Sequence, residues 1–139
     1  MEPEVQRLDI CELPFEDGAF GLLIVDHVLE HVADDRRALC EIARVLEPGG
    51  IAILQTPFAS RLSATLELPQ LDDPAIRLQL YGQEDHLRLY GSDIFERFSI
   101  GGLVAINASH DNLLPECDAG KFGANRAEPL MAFRKDGAR

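Results

Sequence analysis

The five residues His27-Val28-Leu29-Glu30-His31 bring two imidazoles and a carboxylate together. On a helix, a His-x-x-Glu-His spacing puts both imidazoles on one face, as the inverted zinc-peptidase motif requires. Here the segment follows directly from a strand-like apolar run. No third ligand is legible on a helix downstream, so no metal is expected. Two readings remain. Either Val28, Leu29 and Val32 pack a short turn inward, or His27 or His31 faces a ligand rim as a general base, for which imidazole is well suited. Asp9 is a further candidate. A carboxylate directly after a strand can accept a hydrogen bond from an exocyclic amine such as that of adenine, or can serve only the turn. In Gln83-Glu84-Asp85-His86-Leu87-Arg88-Leu89-Tyr90-Gly91, alternation places His86, Arg88 and Tyr90 on one side of an extended segment. An Arg fork and a Tyr hydroxyl suit recognition of a small polar substrate, and the same stretch would also serve as a solvated loop.

These groups need elements to hold them. Val5 to Leu8 is a short strand candidate ending at Asp9. Phe20 to Asp26 is apolar without alternation, the habit of a strand buried on both faces of a parallel sheet. Asp34-Asp35 suits a helix start. Leu39, Ile42, Ala43 and Leu46 form one apolar stripe, and Pro48-Gly49-Gly50 should end that helix. Ile51 to Leu54 resumes a strand, completing a right-handed βαβ unit. Pro69 and Pro74 break the middle, where Ala75 to Leu80 can turn helically. A helix from Ser92 or Asp93 to Phe98, a strand from Leu103 to Ala108, a loop from Asn112 to Asn125 and a strand from Leu130 to Arg134 complete the chain. In an open α/β sheet, ligands sit beyond the strands' carboxyl ends. Asp9, Asp26-His27 and Gln55-Thr56-Pro57 should therefore share one rim.

At 139 residues the chain has room for one domain. A net charge of −11 argues against nucleic acid and anionic membrane as partners. Cys11, Cys40 and Cys117 form no metal or disulfide pattern, and a reducing cytoplasm fits. Cys40 reads as a small apolar filler. No apolar run reaches the ~18 residues of a membrane span, and the N-terminus has no signal-peptide pattern.

With these residues in place, the segment from Asp9 to Phe58 resembles the class I S-adenosylmethionine-dependent methyltransferases of the branch acting on small molecules. It carries an acidic residue, Leu13-Pro14-Phe15, the turn Asp17-Gly18-Ala19-Phe20, an apolar strand, the His27 to His31 turn and a helix leading to Glu47-Pro48-Gly49-Gly50. Gly82 to Phe98 is similar to a Gly-Gln-x-Asp-His-x-Arg-x-Tyr-Gly segment of some bacterial members. The resemblance implies an α/β fold: a partial Rossmann-like sheet, mostly parallel with an antiparallel C-terminal strand, and without the N-terminal strands. It implies a single domain over 1–139, with 59–91 as an inserted lid or substrate segment. It implies S-adenosylmethionine as cofactor, with S-adenosylhomocysteine as product, and a small-molecule methyl acceptor as partner. Asp9 would read the adenine amine, Ile10 would pack beside the ring, and Asp26 and His27 would lie where the methyl moves. His31 would be a second-layer or general-base residue, and His86, Arg88 and Tyr90 would meet the substrate.

The sequence departs from the family in lacking its Gly-rich first loop and the acidic residue after its second strand. Gly21 stands where Asp is usual, and Ser99 to Leu103 replaces an Ala-Gly-Phe ending. The Leu22 to Val25 strand would then have an unpaired apolar edge, which invites pairing. The Val5 strand slipping inward, a second copy of the chain, or a complementing partner should cover it. The alternative function is a non-catalytic domain that binds a partner through that edge.

Overall fold

The computed structural model describes residues 5–106, 118–122, 125 and 128–137. Its elements are β1 (Phe20–Asp26), a 3-10 turn (Leu29–His31), α1 (Asp35–Val45), β2 (Leu46–Gln55), α2 (Pro74–Tyr81), α3 (Ile94–Phe98), β3 (Leu103–Ala105), α4 (Ala119–Phe122) and β4 (Ala132–Lys135). The expected loop from Asn112 to Asn125 and residues 107–108 of the expected Leu103 to Ala108 strand lie largely outside the described residues.

The apolar run of β1 pairs parallel with β2, from Leu22 opposite Ile51 to Asp26 opposite Gln55. The helix between them starts where Asp34 accepts from the Arg37 backbone N–H at 3.0 Å. Its Leu39, Ile42 and Ala43 are buried, together with Leu46 just beyond it. The helix ends at Val45, earlier than the Pro48-Gly49-Gly50 stop expected from the sequence. Pro48 has no N–H to continue a helix and disfavours helical geometry before it. Leu46 is already extended and pairs with Phe20, while Glu47 to Gly50 form an irregular bulge in the ladder. Gly49 turns that bulge at φ 82°.

The sheet order is β1-β2-β4-β3. β4 is antiparallel to both neighbours, so β1, β2 and β3 share one direction. One face is packed by α1, α3 and Tyr90, around Val25, Ala52, Leu54, Phe98 and Phe133. The other face is uncovered among the described residues: Leu22 is 56% exposed, Ile24 64% and Val104 44%. β1 is therefore buried on one face only, which corrects the reading of its unbroken apolar run. The expected Val5 strand does not form either; Val5 is 94% exposed, and residues 5–8 pair with nothing as a ladder. A strand needs a partner, and no described strand lies beyond β1. Cys40 is exposed rather than a filler, because it falls off the buried stripe of α1.

Residues 59–91 are stitched to this body. Leu66 and Leu89 exchange two backbone hydrogen bonds of 2.9 Å. Asp73 caps α2, and Gly82 closes it in the left-handed region. Gly91 passes so close to Ala64 that a Cβ at position 91 would stand 2.6 Å from the Ala64 carbonyl atoms.

Candidate functional site

The parallel pairing of β1 and β2 brings Asp26-His27 beside Gln55-Thr56-Pro57, two of the three strand ends expected to share a rim; the third, Asp9, follows no strand. The His27 N–H donates to the Gln55 carbonyl at 2.9 Å. His27 then turns the chain at φ 52°, a left-handed conformation uncommon outside glycine. Such geometry persists only where the surroundings impose it. The turn swings Glu30 back beneath the rim. Glu30 is buried, with Oε2 accepting from Thr56 Oγ1 at 2.7 Å and Oε1 lying 3.3 Å from His27 Nδ1. His31 Nδ1 lies 3.3 Å from both the carbonyl and the carboxylate of Asp85. His86, also buried, meets the His31 ring edge-on, with centroids 4.9 Å apart.

Asp9 stands at the other side. Its Oδ1 accepts from the Cys11 N–H at 2.9 Å in a local turn, and its side chain is otherwise exposed. This arm is held to α1 through its backbone. Arg37 donates to the Cys11 carbonyl at 3.0 Å, and Arg44 donates to the carbonyls of Leu13 and Phe15 at 3.0 and 2.8 Å. The Arg44 hydrogen bond holds the Glu41 carboxyl down at about 2. Burial, with Asp9 and Asp34 adding their charge, pushes the Cys11 thiol up.

Two concavities flank the rim. An apolar groove of about 570 Å³ runs along β1 between Leu8, Ile10 and Phe15 on the arm and Leu22, Ile24 and Asp26 on the strand. A second pocket of about 310 Å³ is lined by His27, Gln55, Thr56, Phe58 and Glu128.

The structure places Arg88 and Tyr90 away from both. Alternation does put His86, Arg88 and Tyr90 on one side, but that side faces inward. Arg88 directs all its N–H groups to the chain itself: to Leu29, Val32 and Ala33 carbonyls and to Glu67 Oε1. Tyr90 donates to Asp35 Oδ2 at 2.8 Å, and Arg97 binds both oxygens of the same carboxylate at 2.7 and 2.9 Å. Burial opposes ionisation of Asp35, but the hydrogen bonds from Arg97 and Tyr90 outweigh it and hold the carboxyl below its usual range. Burial also pushes the Tyr90 hydroxyl up. This network ties 59–91 to α1 and α3, a task different from the substrate contact expected of Arg88 and Tyr90. Sequence reading missed Asp35, Glu67 and Arg97 here. Asp35 sits in the charged run Asp34 to Arg37, and Glu67 and Arg97 lie 32 and 62 positions beyond it, so no local spacing links the three.

A methyltransferase domain model matches residues 2–54. The chain is 44% identical over 69 residues to a 37.1 kDa protein of transposon TN4556 in Streptomyces fradiae, covering 50% of this chain and 19% of that one. It is 41% identical over 60 residues to the ubiquinone/menaquinone biosynthesis C-methyltransferase of Idiomarina loihiensis, covering 43% of this chain and 24% of that one. The chain therefore matches about a quarter or less of the length of these relatives. Its fold is similar to the [4+2]-cyclase SpnF, with a TM-score of 0.63 and 18% identity over 96% of this chain and 57% of that one.

The site fits S-adenosylmethionine, the cofactor that the sequence resemblance implies, in part. The groove offers an apolar wall and, at Asp26, an acceptor for a cation, while Asp9 lines an adjoining concavity with His31 and Arg37. The described lining of the groove holds no cationic side chain for a carboxylate. Four strands in the order β1-β2-β4-β3, one of them reversed, carry that rim. Residues 2–54 are thus similar in sequence to a methyltransferase domain, and the partial Rossmann-like sheet is similar in fold to solved structures that include SpnF.

Proposed function

We propose that the chain supplies the acceptor side of a methyltransferase that uses S-adenosylmethionine on a small molecule. The observation that carries this reading is the adjacency of the apolar groove ending at Asp26 and the pocket walled by His27. The cofactor, when bound, supplies an electrophilic methyl group on a sulfonium. Asp9 has lone pairs left over from its turn to accept from an adenine amine, and Ile10 packs beside the ring. Asp26 balances cationic charge at the end of the groove. His27 takes the proton of an acceptor held in the smaller pocket, and His31 stays in the second layer. Arg88 and Tyr90 position the segment 59–91 that carries His86 against His31. The remaining catalysis is proximity and orientation.

A second reading is supported by the exposed Leu22 and Ile24. The domain pairs there with a second copy or a complementing chain and performs no chemistry. Calorimetric titration with S-adenosylhomocysteine separates the two. The first expects saturable binding that weakens about tenfold in Asp9→Asn, the scale of one lost hydrogen bond. Absence of heat at saturating ligand, with a chain still folded by circular dichroism, favours the second.

A further inference from the structure

We propose that Glu30, His31 and His86 form a binding site for a divalent transition-metal ion, with Zn²⁺ the expected occupant. The proposal stands apart from the methyl-transfer reading, since it concerns how residues 59–91 are fastened to the turn after β1. Glu30 Oε1 is buried and makes no hydrogen bond, which is true of no other buried side-chain oxygen or nitrogen among the described residues. A carboxylate oxygen withdrawn from water without a donor is costly. It lies near His27 Nδ1, but that imidazole is mostly exposed and misaligned for a hydrogen bond. A cation is the partner that this oxygen lacks.

The two other ligands are already oriented. One ligand atom from each of Glu30, His31 and His86 lies within 4.8 Å of the others. His31 Nδ1 is 3.3 Å from the Asp85 carbonyl, and His86 Nδ1 is 3.3 Å from the Tyr81 carbonyl. A carbonyl only accepts, so each imidazole carries its proton on Nδ1 and presents a lone pair on Nε2. Ligating histidines are commonly fixed in this way by a carbonyl or carboxylate behind the ring. His31 Nε2 faces Glu30 Oε1 at 4.0 Å. That is wider than the ~3.3 Å between ligand atoms of a tetrahedral zinc site with 2.0–2.1 Å bonds. The ion therefore draws the side chains together, and His31, 34% exposed, has room to move. Two imidazoles and one carboxylate form a donor set of catalytic-zinc type, which leaves a fourth position for water. The His27 to His31 spacing suggested a different pair; the geometry keeps His31, drops His27, and takes its third ligand from a residue 55 positions downstream of His31.

The test is competition for Zn²⁺ between the purified full chain and a chromophoric chelator, with Co²⁺ absorption as a second readout. One equivalent is expected, with visible Co²⁺ bands and no thiolate charge-transfer band. Zn²⁺ should also raise Tm, because it binds the folded chain preferentially. His31→Ala, at the exposed ligand, should weaken binding at least about tenfold. Glu30→Gln, which keeps an acceptor for Thr56, should do the same. Cys11→Ser and Cys40→Ser should leave binding intact. The proposal is overturned if the folded chain takes up no stoichiometric metal, or if His31→Ala and Glu30→Gln bind as tightly as the parent.

Discussion

The two faces of the sheet are built to different standards. On one, α1 and α3 seal an apolar core, and Asp35, Arg88, Arg97, Glu67 and Tyr90 satisfy one another at its margin. On the other, Leu22 and Ile24 stand in the open beside an apolar groove, and Val104 is exposed at the far edge of the sheet. Both faces are apolar in sequence, but only one has been given something to pack on. The closed face accounts for the chain's folding, while the open face and the rim above it are where ligands or partners can act. An apolar side chain contributes to stability only through what it leaves water for, so Leu22 and Leu39 differ although both are leucines.

The contrast can be broken most sharply at Asp35. Asp35→Ala takes from Arg97 two of its hydrogen bonds and from the buried Tyr90 hydroxyl its carboxylate acceptor, and should cost about 3–5 kcal/mol in denaturant unfolding. Leu39→Ala on the closed face should cost about 2–5 kcal/mol, whereas Leu22→Ala should stay within about 0.5 kcal/mol. A large loss at Leu22 in the isolated chain would mean that the open face is covered in solution, and sedimentation would then report a larger species. Acid sharpens the contrast further. Asp35 and Glu41 both titrate lower in the folded chain than in the unfolded one, Glu41 at about 2. Their stabilisation is complete above the unfolded carboxylate range near ~4 and is lost as pH falls toward the folded values. The urea midpoint should therefore drop between neutral pH and pH 3, and drop less in Asp35→Asn.

Part of this was readable from residues alone. The stripe of Leu39, Ile42 and Ala43 has helical period, and the β1 and β2 runs are apolar enough to declare themselves, so the βαβ unit and its rim were legible. Alternation correctly grouped His86, Arg88 and Tyr90 but carries no sign for inside or outside. The partners that pull them inward, Glu67 and Asp35, lie 21 and 55 residues from Arg88 and Tyr90. The Val5 strand failed for a related reason: strand propensity is local, while a ladder needs a neighbour. Glu30 was legible as a member of a motif, but its burial depends on Thr56, which only the pairing of β1 with β2 brings near.

Gly91 carries a consequence for sequence variation. Its Cα faces the Ala64 carbonyl where any other residue would need room for another carbon. A substitution there would force apart two stretches of backbone, and neither can yield as a flexible side chain would. In a library drawn at random over residues 59–91, position 91 should tolerate an alphabet of one letter, while the exposed Gln83 and Glu84 accept many.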